Sequence, residues 1–135
     1  MKRLMDDILP NVSLAGRRVL VAEDNPINIE VMQQYLNFLK IESYFVTDGK
    51  QCLEALKNNT YDCVLMDIQM PQLDGFQATD QIRSMPEFKD LPIIGVSAGL
   101  AKSDLQRWQQ SGMNDFLAKP FEVDELAEIL MKYLG

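Results

Sequence analysis

Residues 63–75 read CVLMDIQMPQLDG. Cys63, Val64, Leu65 and Met66 form an apolar run that leads straight into Asp67. Pro71 and a Leu73-Asp74-Gly75 turn follow. The run has the length of a buried strand, and the turn residues close it. A carboxylate at the lip of a core is costly unless something holds it there. Three roles are open to Asp67 from this stretch alone: a structural cap, a metal ligand or a nucleophile.

Outward from this stretch the chain alternates. The segments 18–22 (RVLVA), 43–47 (SYFVT), 61–66 (YDCVLM), 91–97 (LPIIGVS) and 115–118 (DFLA) read as strands. Helical spacing fills the intervals. Ile27, Val31, Tyr35, Leu36 and Leu39 fall on one face, and Cys52, Leu53 and Leu56 on the next, with Asp48 as its N-cap. Phe76, Thr79 and Ile82 mark a third helix. The fourth closes at Gly112, and the last turns Val123, Leu126, Ala127, Leu130 and Leu134 inward. Five β-α repeats predict an α/β fold with a parallel sheet covered on both faces. Residues 1–16, punctuated by Pro10, Asn11, Ser13 and Gly16, read as a leader or linker with one short helical turn at residues 4–9. Residues 17–135 read as the domain.

In such sheets ligands bind beyond the carboxyl ends of the strands. The first strand ends in Glu23-Asp24, the third in Asp67, the fourth in Ser97 and the fifth in Ala118-Lys119 before Pro120. Taken singly these residues are turn formers, helix caps or surface charges; the pair Glu23-Asp24 also stands where it would cap the next helix. Their shared position at strand ends carries the argument. Three carboxylates on one rim repel and call for protonation or a cation. Hard oxygen ligands suit Mg²⁺, with Mn²⁺ as the alternative. The backbone carbonyl of Gln69 is placed to join them. A lysine and a hydroxyl opposite the acids suit the transfer of a phosphoryl group onto a carboxylate.

Composition narrows the classes. The chain has 135 residues, 47% hydrophobic and 24% charged, as one globular domain does. A net charge of −7 argues against direct binding of nucleic acid. There is no histidine, which removes His-based zinc sites, Ser-His-Asp triads and a phosphohistidine within this chain. Cys52 and Cys63 read as reduced core residues. Trp108 and the eight methionines read as packing, and Glu122, Asp124, Glu125 and Glu128 as a solvated helix face. No apolar run reaches the roughly 20 residues that a membrane span needs, and the N-terminus is not a signal peptide. The expected location is the cytoplasm.

The stretches VLVAEDNPIN, YDCVLMDIQMPQLDGFQAT, PIIGVSA and SGMNDFLAKPF resemble, in order and spacing, the receiver domain of two-component response regulators. The style of VAEDNPIN and MDIQMPQLDG is most like receivers of hybrid sensor histidine kinases. The resemblance covers about residues 17–134. It implies a flavodoxin-like, doubly wound three-layer fold with a five-stranded parallel sheet in the order 2-1-3-4-5. It implies Asp67 as phosphoacceptor and Asp24 as direct Mg²⁺ ligand, with Asp67 itself and the Gln69 carbonyl beside it. Glu23 would support the metal through water. Ser97 and Phe116 would form the switch, Lys119 would pair with the phosphoryl group, and the Lys119–Pro120 bond would be cis. Two departures are mild: Glu23 stands where Asp is commoner, and Phe116 where Tyr is.

The implied function is a Mg²⁺-dependent phosphorylation switch, autocatalytic in phosphoryl acceptance and hydrolysis without being a conventional turnover enzyme. The donor would be a histidine kinase or histidine phosphotransfer domain. A phosphorylation-dependent homodimer through the fourth helix, fifth strand and fifth helix is a further expectation. Because the sequence ends just after its last helix, a stand-alone receiver, the terminal receiver of a hybrid kinase and an excised piece all stay open. A degenerate receiver that acts only by binding is one alternative. An aspartyl phosphatase is another, but it wants a second acid where Gln69 stands. A flavodoxin-like cofactor binder is disfavoured, because Glu23-Asp24-Asn25-Pro26 would repel a cofactor phosphate.

Overall fold

The computed structural model describes residues 14–70, 73–98 and 102–134. The helical turn expected at residues 4–9 lies outside them. The elements run β1 (Arg18–Ala22), α1 (Pro26–Phe38), β2 (Glu42–Val46), α2 (Gly49–Asn58), β3 (Cys63–Asp67), α3 (Gly75–Arg83), a 3₁₀ turn (Pro86–Phe88), β4 (Ile93–Ser97), α4 (Lys102–Ser111), β5 (Asp115–Ala118) and α5 (Val123–Leu134). All strand pairs are parallel, and the sheet order is β2-β1-β3-β4-β5. Every residue of β3 and β4 is buried. That is why these segments are continuous apolar runs rather than alternating ones.

Each face of the sheet carries its own core. One holds Leu14, Val19, Val21, Met32, Leu36, Leu65, Ile94 and the inner stripe of α5. The other holds Leu20, Cys52, Val64, Met66, Phe76, Ile82, Ile93 and Met113, with Trp108 and Phe116 packed at its border. Cys52 and Cys63 are both free, and burial pushes each thiol up to about 12. Leu14, three residues before the expected domain start, is 1% exposed and belongs to the first core. Gly16 follows it at φ +82 and donates its N–H to the Lys40 carbonyl at 2.9 Å.

Two expectations about helix faces need correction. Met32 and Leu36, not Ile27 and Val31, form the buried stripe of α1. Ile27 is 72% exposed and Val31 40%. At about 100° per residue, Ile27 and Val31 lie well round the helix from Met32 and Leu36, whose face packs into the first core. Asp124 is buried, not part of a solvated face, although Glu122, Glu125 and Glu128 are exposed. It sits in the first turn of α5, where its Oδ1 accepts the Glu125 N–H at 2.9 Å. Free backbone donors at a helix start make that a tolerable place for a buried acid.

Candidate phosphoryl-transfer site

The carboxyl ends of β1, β3, β4 and β5 meet at one rim, as parallel strands in neighbouring register must. Asp67 is the last residue of β3 and is 7% exposed. Glu23, just past β1, is 3% exposed, whereas Asp24 is open to solvent. One carboxylate oxygen from each of Glu23, Asp24 and Asp67 lies within 4.8 Å of the others. Lys119 reaches in from the end of β5. Its Nζ is 2.9 Å from Glu23 Oε1 and 3.4 Å from Asp67 Oδ2. Ser97, buried, ends β4, and its carbonyl accepts the Lys119 N–H at 2.8 Å. The Lys119–Pro120 peptide is cis. Phe116 lies half-buried in β5 against the second core.

Local sequence explains how these groups are held. Asn25 is the N-cap of α1, accepting the N–H of Ile27 and Asn28 at 2.9 and 3.2 Å, with Pro26 at the first helical position. The cap is therefore Asn25 and not the acidic pair, which is left free to face the cleft. Glu23 Oε2 accepts the Asn25 N–H at 3.1 Å and lies 3.5 Å from Asn28 Nδ2. Asp67 Oδ1 accepts the Gln69 N–H at 3.0 Å. Downstream, Asp74 and Gln77 form a reciprocal capping box at the start of α3. Gly75 donates to the Ile68 carbonyl at 3.0 Å, and a Cβ there would lie 2.5 Å from the Asp67 carbonyl oxygen. The Leu-Asp-Gly turn thus lets α3 begin directly against the chain that carries Asp67.

The electrostatics are uneven. Burial, then the neighbouring Glu23 carboxyl, pushes Asp67 up to about 6 against only partial relief from the Gln69 N–H and Lys119. Burial also works against an ionised Glu23, but bonds from Lys119, from the Asp67 carboxyl and from the Asn25 N–H outweigh it and hold Glu23 below the usual range. Lys119 is raised, because Glu23 and Asp67 together overcome its own burial. Without a further cation, the lysine thus serves Glu23 first and leaves Asp67 the strained member. An oxygen-only donor set with surplus negative charge and one exposed edge fits a Mg²⁺ ion that keeps part of its water. In that role Asp24, Asp67 and the Gln69 carbonyl would be ligands and Glu23 an outer support.

Residues 19–131 match the family model of the response regulator receiver domain. The chain belongs to this family. The receiver is 36% identical over 132 residues to the sensor protein GacS of Pseudomonas syringae pv. syringae, covering 96% of this chain and 15% of that protein. It is 40% identical over 119 residues to the transcription factor SKN7 of Saccharomyces cerevisiae, covering 88% and 19%. It therefore spans less than a fifth of either relative. Among solved structures it resembles the receiver domain of sensor histidine kinase PA1611 from Pseudomonas aeruginosa PAO1, at 40% identity and a TM-score of 0.84, covering 90% of this chain and 99% of that one. That structure carries a magnesium ion coordinated in its active site cleft. The receiver domain of Ssk1, crystallised with the histidine phosphotransfer protein Ypd1 of Saccharomyces cerevisiae, has a TM-score of 0.80 at 25% identity, covering 90% and 91%.

Sequence reasoning missed the order of pairing within the receiver's site, in which Lys119 lies closer to Glu23 than to Asp67. It also missed Asn28 as a neighbour of Glu23. The EDNPIN stretch does contain the signals: Asn-Pro marks a helix start, and a side chain in the first turn of that helix can reach back to the acid that precedes the cap.

Proposed function

We propose that this receiver accepts a phosphoryl group on Asp67 from a phosphohistidine of a separate kinase or phosphotransfer domain. The observation that carries the reading is the buried Asp67 carboxylate, with Lys119 Nζ at 3.4 Å and the Glu23 and Asp24 oxygens within 4.8 Å. A carboxylate oxygen of Asp67 attacks phosphorus. The bond from phosphorus to the donor imidazole nitrogen breaks, and the imidazole leaves with that electron pair. A bound Mg²⁺ would offset charge on the phosphoryl oxygens. Lys119 would turn from Asp67 Oδ2 toward a phosphoryl oxygen, and Ser97 would donate its hydroxyl to another. Water attack on phosphorus would later regenerate the carboxylate, with the proton released to solvent.

The acyl phosphate adds roughly −1.5 to −2 charge at neutral pH. Movement of Ser97 toward it would open space for Phe116 to turn inward, shifting the population between two states of the α4–β5–α5 face. That face is the proposed place for an output contact or a phosphorylation-dependent dimer. On the donor side, the exposed Val31 lines an open cavity of about 400 Å³ together with Tyr35, Lys119, Pro120 and Phe121. It offers an apolar footing for the partner next to Asp67. No helix among the described residues is long and apolar enough to cross a membrane.

The test is incubation with acetyl phosphate and Mg²⁺, read by intact mass. We expect a labile adduct of about 80 Da on the wild type, abolished by EDTA and by Asp67→Asn. An unlabelled wild type, or the same adduct on Asp67→Asn, refutes the reading.

A further inference from the structure

Helix α4 joins the second core through Trp108 and carries a polar contact beside it. Its sequence, KSDLQRWQQS, has only two large apolar residues. Trp108 is half-buried at the edge of the second core, and its buried indole N–H meets no acceptor among the described residues. One residue earlier, Arg107 crosses to the start of α3. Its Nη2 lies 3.1 Å from Asp74 Oδ2 and 3.4 Å from Oδ1. Its guanidinium also sits 4.6 Å from the ring centroid of Phe76, a buried residue of the same core. Asp74 is the N-cap of α3 and belongs to the loop that begins at Asp67. Arg107 therefore ties α4 to the segment that leaves the phosphoacceptor.

We propose that the Arg107–Asp74–Phe76 contact is a latch that holds α4 in its resting position and biases the receiver against activation. The proposal rests on the phosphoryl-accepting reading above. Ser97 ends β4 five residues before Lys102 begins α4. A pull on Ser97 toward a phosphoryl group is thus transmitted to α4 within a short span. Among the described side chains of α4, Trp108 packs against the second core and Ser111 is buried at the helix end, and Arg107 adds the one ion pair that reaches across to the loop of Asp67. Phe76, Gln77, Asp80 and Arg107 border a shallow groove of about 160 Å³ between the two helices, so the guanidinium has somewhere to go when the latch opens. Arg107 is about half exposed, its side chain at 47%, and so is held loosely enough to be released.

The test uses Arg107→Gln, Asp74→Asn and the double variant. Glutamine keeps the helix propensity of arginine. Asparagine keeps the N-cap while removing the charge. The rate of Asp67 labelling by acetyl phosphate with Mg²⁺ is followed by intact mass, together with Trp108 fluorescence of the unlabelled protein. Each single variant should label about two- to tenfold faster than wild type, the range for an exposed ion pair backed by a cation–π contact. The double variant should be no faster than the faster single one, because both remove the same contact. Trp108 emission in the unlabelled variants should shift toward that of the labelled wild type. Unchanged or slower labelling in the single variants, or multiplying effects in the double, overturns the latch while a normally labelled wild type leaves the phosphoacceptor reading intact. A wild type that does not label at all overturns both.

Discussion

Replacing Asp67 with asparagine should make the metal-free protein more stable at neutral pH, although it removes the group on which the proposed function depends. Asp67 is raised from an ordinary 3.8 to about 6, first by burial and then by Glu23. A folded-state value above the unfolded one means that the folded chain prefers the protonated carboxyl. Asp67 is therefore harmless below about pH 4, where it is neutral in both states. Its favourable contribution is lost as pH rises through about 6. The difference of about two pH units corresponds to an upper bound of about 3 kcal/mol. Water reaches the rim, and Lys119 beside it is 20% exposed, so screening leaves about 1–2 kcal/mol. The Asp67→Asn side chain would keep the shape and leave Lys119 paired with Glu23 at 2.9 Å. The lowered Glu23 has the opposite pH dependence, with stability lost as pH falls; the Lys119 and Asn25 bonds that lower it remain in both proteins, and the part due to Asp67 is lost in the variant. Urea unfolding in EDTA at several pH values, followed by far-UV circular dichroism, measures the gap. It should be near zero at about pH 4, open in favour of Asp67→Asn between about pH 4 and 6, and stay open above. Millimolar Mg²⁺ should then raise the wild type more than the variant, closing the gap from the other side. A variant less stable than wild type at neutral pH without metal refutes the claim that Asp67 is the strained member of the site.

Two further predictions concern the frame around the site. Gly75→Ala should destabilise by about 1–3 kcal/mol, since its Cβ would lie 2.5 Å from the Asp67 carbonyl oxygen, and acetyl phosphate labelling of the variant should be slower than wild type. Leu14→Ala should cost about 2–5 kcal/mol in urea unfolding, because Leu14 is 1% exposed in the first core. A cost below about 0.5 kcal/mol, as for a surface residue, refutes its role as a core residue.

Why some of this was legible and some was not follows from the physics of each residue. β3 and β4 are buried on both faces, so their sequences are apolar runs that locate Asp67 and Ser97 at strand ends without ambiguity. The cap at Asp48 and the close of α4 at Gly112, φ +89, were equally plain, since short polar side chains and glycine do those jobs locally. Helix faces were less so. Ile27 and Val31 continue the spacing of Tyr35, but Met32, Leu36 and Leu39 form a second apolar face beside it, and spacing alone does not say which face turns to the sheet. Asp124 deceived for a similar reason: an acid in a helix looks solvated until the backbone donors beside it are counted. The boundary residue Leu14 is a single leucine among small and polar neighbours, and only its packing against the α1 and α5 side chains gives it a place in the core.

The pairing within the site was out of reach for a further reason. Lys119 has two acids within 4 Å and one charge to share. Which acid it favours depends on differences of about half an ångström, 2.9 against 3.4 Å, and on the Asn25 N–H that also serves Glu23. Residue types on a rim predict a cluster of charges, but not how the compensation is divided. That division has a consequence. A lysine centred on Asp67 would have satisfied the carboxylate and blunted it as a nucleophile. Spent first on Glu23, it leaves Asp67 poorly compensated, and in the proposed transfer a Mg²⁺ held by Asp24 and Asp67 would relieve that strain at the carboxylate proposed to react.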